Sequence, residues 1–283
     1  MYVKIIDYNS PQAAADFVSS LKETGFAVLK NHPISQDLVE TVYHDWREFF
    51  EHYSKIDYLF DANSLRQSGY FPFRSENAKG YSTKDLKEFY HYRDEHDLPQ
   101  GMRKNTQLLL TDLLQLGHEV LKWIEDGLPD QVSSALSLPL HKMIHNSDMS
   151  LIRIIHYPPI IDEEDENAVR AAAHEDIDLL TILPAATASG LQVLDRVGNW
   201  HDVSCDYGML IFNGGDMLQE ATKGYYKSTT HRVVNPVGDL ARKSRYSLPL
   251  FLHPRSDVRL SELHTAESYL AKRLREIGLK TSA

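Results

Sequence analysis

His174 and Asp176 stand two residues apart in the run AHEDIDLL at 173–180, and this H-x-D is the only H-x-D or H-x-E in the chain. In an extended segment that spacing puts both side chains on one face. Asp178 shares the parity. An iron(II) ion that must also bind dioxygen needs few protein ligands on one side and open positions on the other, which two histidines and one carboxylate provide when they are arranged facially. The third ligand is expected from a distant strand on the same inner surface, and His231, in KSTTHRVVNP after a turn, is the best placed. His201 in a turn, His253 near a strand end and His156 at the opposite parity to Tyr157 read as surface or supporting residues.

A second chemical requirement is an anchor for a carboxylate. Arg245 and Ser247 form R-x-S on the apolar run RYSLPLFLH, where a guanidinium forks onto a carboxylate and a hydroxyl adds a hydrogen bond. The same spacing recurs at Arg66/Ser68, Arg242/Ser244 and Arg259/Ser261. Position after His231 and on an apolar strand favours Arg245, with Arg242 as the rival in a charged turn.

Composition narrows the chemistry. Cys205 is the only cysteine, so one chain builds no internal disulfide and no thiolate zinc or iron–sulfur centre. The formal charge of −10 argues against a nucleic-acid partner, which needs a basic stripe. No stretch is long and apolar enough for a bilayer, and MYVKIIDYNSPQ lacks the pattern of a signal peptide. The expectation is a cytoplasmic protein with no membrane partner.

The elements that must position these residues fall into two textures. Over 1–147 the pattern is mostly helical: Ser10-Pro11 as an N-cap and first-turn proline before a helix ending at Gly25, a short strand GFAVLK, a helix from Gln36 to about Tyr53, and a long pair over Lys104–Ile124 and Pro129–Ile144. Residues 60–100, rich in Tyr, Phe and Gly, read as irregular and as a cover for a pocket. From 148 to 255, short β-branched runs separated by turn residues suggest a sandwich or jelly roll. The segment 256–283 reads as a basic C-terminal helix packed on the outside. The whole, 1–283, reads as a single domain, mainly β with flanking helices.

Taken in order, IRIIHYPP at 152–159, AHEDIDLLTIL at 173–183, LIFNGGDMLQEATKGYYKSTTHRVVNP at 210–236 and RYSLPLFLHP at 245–254 resemble the isopenicillin N synthase-like family of iron(II)- and 2-oxoglutarate-dependent oxygenases. GFAVLKNHPI at 25–34 resembles the start of that family, with Pro33 in place of its usual glycine. The resemblance implies a double-stranded β-helix (cupin-like) core, Fe(2+) as cofactor, and 2-oxoglutarate and O2 as co-substrates. It further implies His174, Asp176 and His231 as the catalytic metal ligands. Arg245 and Ser247 would hold the distal carboxylate of 2-oxoglutarate and Tyr157 would touch the same co-substrate, although Ile155 stands where the family commonly has asparagine. Arg153 and Phe251, at inward parity, are candidates to meet a small-molecule substrate, with a salt bridge and core packing as their respective alternatives. The expected outcome is oxidation of a C–H bond with release of succinate and CO2. Two other readings stay open: an iron oxidase that does not use 2-oxoglutarate, and a noncatalytic cupin-like ligand-binding protein.

Overall fold

The computed structural model describes residues 2–61, 68–77, 83–93, 98, 102–160 and 168–276. The chain opens with β1 (Ile5–Asp7), α1 (Ala13–Thr24), β2 (Phe26–Lys30) and α2 (Gln36–His52). Strands β3 (Gly69–Phe71) and β4 (Glu88–Tyr92) follow, then α3 (Arg103–Asp126) and the single turns α4 (Asp130–Ser133) and α5 (Leu140–Met143). The second half runs β5 (Leu151–Tyr157), β6 (Ala171–His174), β7 (Leu180–Pro184), β8 (Leu191–Leu194), β9 (Trp200–Asp202) and β10 (Leu210–Gly214). It closes with α6 (Asp216–Ala221), β11 (His231–Val233), β12 (Arg245–Ser247), β13 (Leu250–Leu252) and α7 (Ala266–Glu276).

Two sheets form the core. The larger has the order β1-β2-β10-β7-β13-β5-β4-β3, with β12 also paired to β5, and the smaller has the order β6-β11-β8-β9. Strand alternation sorts the larger sheet into two faces. Ile152, Ile154, Leu180, Ile182, Phe212, Leu250 and Leu252 point outward into one apolar cluster with Phe17 and Leu21 of α1, Trp46 and Phe49 of α2, and Leu109 and Leu113 of α3. Each such side chain contributes about 1.5–3 kcal/mol on burial, so three helices cover that face. The opposite face turns Ile155, Tyr157, Thr181, Leu183 and Phe251 towards Ala171, Leu191 and Val233 of the smaller sheet, around a cavity of about 370 Å³. A mainly β jelly-roll core with flanking helices is therefore the architecture, as expected.

Local departures have local causes. Ser10 ties down a turn, accepting from the Gln12 N–H at 3.2 Å, and α1 begins only at Ala13. The expected helix over Pro129–Ile144 is instead two single turns, because Pro139 cannot continue a helix and sits as the cap of α5. The described part of 60–100 is not irregular throughout: β3 and β4 extend the larger sheet through Phe89↔Ile155 and Gly69↔His91. It does flank the cavity, through Phe60, Phe71, Glu76, Lys87, Phe89 and His91. RYSLPLFLH is two strands broken at Leu248-Pro249, and both pair with β5. The C-terminal helix starts at Ala266, and it is not confined to the outside: Ala266 and Tyr269 are buried, and Leu270, Arg273 and Leu274 line the cavity mouth. Residues 277–283 of that expectation lie outside the described residues, as does Arg66 of the R-x-S recurrences.

Candidate metal centre and co-substrate pocket

His174 ends β6 and His231 begins β11, and the two are direct cross-strand partners. Their ring centroids are 4.4 Å apart. Asp176, two residues past His174 in the turn after β6, brings Oδ1 to 3.8 Å from His174 Nε2 and 3.7 Å from His231 Nε2. Among the described residues these three form the group of His, Cys, Asp and Glu whose ligand atoms converge, all within 4.8 Å of one another.

The remaining polar atoms of the three side chains are already used. His174 Nδ1 lies 2.7 Å from the Ala172 carbonyl and His231 Nδ1 lies 3.1 Å from the Thr229 carbonyl. A carbonyl only accepts, so both Nδ1 atoms carry the proton and both Nε2 lone pairs face the centre. Asp176 Oδ2 accepts from Thr181 Oγ1 at 2.6 Å and from Asn213 Nδ2 at 2.8 Å, leaving Oδ1 for the centre. Burial, then the neighbouring His231, lower the His174 pKa to about 4, so the imidazole is neutral and able to ligate. Burial opposes the charge on Asp176, but His231, His174 and the two hydrogen bonds outweigh it and lower its pKa. Such outer partners fix ligand tautomer and orientation, and the donor set fits a hard, facially bound divalent iron.

Asp178, at the same parity as Asp176, is fully buried and points elsewhere. Burial and the charge on Asp176 raise its pKa well above the ordinary value. Thr181 Oγ1 lies 3.0 Å from Asp178 Oδ2 as well as 2.6 Å from Asp176 Oδ2. One hydroxyl proton cannot serve both. Thr181 thus stands between the two carboxylates, with the shorter contact to Asp176.

Neighbouring elements hold the loop. The Asp216 and Met217 N–H groups at the start of α6 donate to the Asp176 and Asp178 carbonyls at 2.8 and 2.9 Å. A Cβ on Gly215 would collide with Asp178 itself, so only glycine allows this approach. On the other side, Gly25 ends α1 at φ +76° and lies against Thr229 and the Lys227 carbonyl, just before β11. Phe26 follows and meets the His231 ring edge-on at 5.5 Å.

Beside this triad, β12 sets Arg245 opposite Tyr157 and Ser247 opposite Ile155 on β5. All three of Arg245, Ser247 and Tyr157 are buried and line the cavity. Arg245 Nε donates to the Ala188 carbonyl at 3.0 Å, whereas Nη1 is buried without a protein acceptor. Arg242 is exposed in the turn Gly238–Arg242, away from the cavity.

Comparison with known proteins gives the same chemistry. Residues 148–254 match the family model of the 2OG-Fe(II) oxygenase superfamily, and residues 3–110 match the N-terminal model of non-haem dioxygenases described from morphine synthesis. A crystal structure of a Shewanella oneidensis protein described as an oxygenase is 47% identical, covers 99% of this chain and 100% of its own, and superposes with a TM-score of 0.89. This chain belongs to the 2OG-Fe(II) oxygenase superfamily. A gibberellin 2-beta-dioxygenase from Arabidopsis thaliana is 28% identical over 92% of this chain and 80% of that one. A Neurospora crassa protein solved with alpha-KG and thymine shares the fold at 22% identity and a TM-score of 0.79, with 96% of each chain covered. As a member, the chain is a non-haem iron dioxygenase fold that uses Fe(2+), 2-oxoglutarate and O2.

In this oxygenase Arg153 and Phe251 also line the cavity. Arg153 is not an unpaired cation: Nε donates to His91 Nε2 at 2.8 Å and Nη1 to Glu76 Oε2 at 3.1 Å, with its guanidinium 4.5 Å from the Phe89 ring centroid. Lys87 joins Glu76 at 2.9 Å and Asp85 at 2.8 Å. Phe60, Phe71 and Phe89 stack in a column, with centroids 3.9 and 4.5 Å apart.

Sequence reasoning missed several of these. Asn213, not singled out in the sequence, donates to the Asp176 carboxylate. Inward parity in LLTILPA was the available signal for Thr181. Nothing local marks Glu76, whose partner Arg153 lies far along the chain, or Lys87, which joins it. Among the histidines set aside, His156 is buried, stacked on Tyr246 and bonded to Glu88 at 2.7 Å. His253 lines the cavity, and burial, then Arg93, lower its pKa to about 4. His201 is bonded to Asp195 at 2.7 Å in the β8–β9 hairpin.

None of the described helices is long and apolar enough to cross a membrane.

Proposed function

We propose that this oxygenase oxidises a C–H bond of a small organic molecule, with His174, Asp176 and His231 as the iron ligands and Arg245, Ser247 and Tyr157 holding 2-oxoglutarate. The observation that carries this reading is the convergence of two Nε2 atoms and one Oδ1, every other polar atom of the three side chains being bonded elsewhere. Iron(II) with 2-oxoglutarate and dioxygen supplies the oxidising power, one 2-oxoglutarate being converted to succinate and CO2 for each substrate oxidised.

The chain's own residues bind, orient and exclude water. Arg245 offers Nη1, and Ser247 and Tyr157 offer hydroxyls, to the end of the co-substrate away from the metal. Phe26, Ile155, Leu183 and Val233 make the walls apolar, so the reacting centre is screened from solvent. The substrate lies at the Arg153 end, where Phe251 and the phenyl column offer flat apolar surface and the Arg153–Glu76 pair offers donors and acceptors. Hydroxylation is the default product, and thymine and related ligands in similarly folded proteins support a substrate of small size.

The test is succinate formed from 2-oxoglutarate under air by the iron-loaded protein, with a panel of small metabolites. Wild type is expected to give iron-dependent succinate, His174→Ala and Asp176→Ala none, and Asp178→Asn a level within about fivefold of wild type, since Asp178 stands outside the converging ligand atoms and Asn keeps its size. Oxygen consumption that ignores 2-oxoglutarate would instead identify an oxidase. No turnover with any metabolite, alongside ligand binding, would identify a binding protein. Equal loss in all three variants would show that the acidic run is misassigned.

A further inference from the structure

Arg170 lies four residues before His174, at the entry to β6, and is 1% exposed. Its Nη2 donates to the Lys243 carbonyl at 3.0 Å, and its backbone N–H to Asn235 Oδ1 at 2.9 Å. The Nε atom is buried with no acceptor. Among the described residues no carboxylate offsets the charge: the ion that perturbs Arg170 most is a second cation, Arg245, which together with burial lowers its pKa to about 10. It remains protonated at neutral pH.

Both guanidiniums lie against one ring. Arg245 Cζ is 5.0 Å and Arg170 Cζ 5.9 Å from the Tyr157 ring centroid. Each keeps one buried nitrogen without a protein acceptor, Nη1 of Arg245 and Nε of Arg170. Buried like charges repel, and an unpaired buried charge is unfavourable unless an anion completes the site. Arg170 does not line the cavity, so any ligand feels it through Tyr157 and across space.

We propose that Arg170 is a positioning residue for 2-oxoglutarate, supplying from behind Tyr157 a second positive charge that holds the distal carboxylate against Arg245. This rests on the co-substrate reading of Arg245 given above. A purely structural Arg170, tying β6 to the turn before β12 through the Lys243 carbonyl, would affect folding without discriminating between ligands.

The experiment is equilibrium dialysis of 2-oxoglutarate and of 2-oxobutyrate against the anaerobic, iron-loaded full chain. 2-Oxobutyrate keeps the keto-acid end and lacks the distal carboxylate. Arg170→Gln is expected to weaken 2-oxoglutarate about tenfold and to leave iron affinity and 2-oxobutyrate binding within about twofold of wild type. Arg170→Lys, which restores the charge, is expected within about threefold of wild type for both ligands. Equal weakening of both ligands, no weakening of 2-oxoglutarate in Arg170→Gln, or Arg170→Lys as weak as Arg170→Gln would overturn the inference. Failure of both Arg170→Gln and Arg170→Met to fold while Arg170→Lys folds would also overturn it, by assigning the cation to the fold. Arg245→Gln separates the two levels of argument. If it binds 2-oxoglutarate as wild type does, the co-substrate site itself is misplaced; if it binds weakly while Arg170→Gln is silent, only the role of Arg170 fails.

Discussion

Arg242 and Arg245 each stand two residues before a serine, and burial separates them: Arg245 is 2% exposed on a strand, whereas Arg242 is exposed in a turn. A buried guanidinium with an open N–H gains from a carboxylate far more than a solvated one does. Arg245→Ala should raise the 2-oxoglutarate KM by about ten- to a hundredfold, the range for lost hydrogen bonds to a charged group, and Arg242→Ala by less than about twofold. Steady-state succinate formation measures both, and the reverse ranking would move the anchor to the turn. Glu76 offers a second test, of stability. Burial opposes its charge, but Arg153 and Lys87 more than compensate and hold its pKa well below the ordinary 4.5. Folding thus stabilises the carboxylate above that ordinary value, and the contribution drains away as pH falls towards the folded value. Glu76→Gln should lose about 2–3 kcal/mol at pH 7, and the gap from wild type in thermal melts should narrow below about pH 4. A gap that widens in acid would contradict the ion-pair assignment. At this scale, the R-x-S spacing was legible because Arg245 and Ser247 share a face of β12, and H-x-D because two residues of chain return Asp176 to His174 at the end of β6. Arg170, Asn213 and Glu76 were not, since their partners come from strands and turns whose adjacency exists only after folding.

The same distinction holds for elements. β5, β7, β8, β10 and β11 were legible because short β-branched runs between turn residues have few other uses. β3 and β4 were not, because Gly69–Phe71 and Glu88–Tyr92 sit in a stretch without steady alternation and become strands by pairing with β5. Pro139 was a readable stop inside the expected second helix of the pair, and the apolar spacing on either side of it obscured that. α7 reads as amphipathic and basic, but its docking through Ala266 and Tyr269, and the Arg273–Asp216 contact at 2.8 Å, arise only from the folded chain. The α1–β2 corner yields a prediction of its own. Gly25 combines a left-handed backbone with close approach to Thr229, and Phe26 after it braces His231. Gly25→Ala should cost about 1–3 kcal/mol of stability and weaken iron binding, because any relief of the collision displaces β11. Unaltered iron affinity in a folded Gly25→Ala protein would show that this corner does not position the histidine.

Over the whole molecule, one cavity gathers residues from distant parts of the chain: Phe26, then Glu76, Lys87 and His91, the strands of both sheets, and Leu270 and Leu274 of α7. Helices on the outer face of the larger sheet keep its strands in register, and the inner face is thereby free to carry polar groups that a packed core would exclude. A net charge of −10 fits a small-molecule partner better than a polyanion. On the proposed reading, two histidines and one aspartate form a single iron site that leaves room for 2-oxoglutarate. Anaerobic calorimetric titration of iron(II) into the wild type and into His174→Ala, Asp176→Ala and His231→Ala, with and without 2-oxoglutarate, tests it most directly. One iron per chain is expected in the wild type, bound more tightly with 2-oxoglutarate, and that binding is expected to be lost in every variant. Undiminished iron binding in His231→Ala, or 2-oxoglutarate binding that is indifferent to the metal, would contradict it.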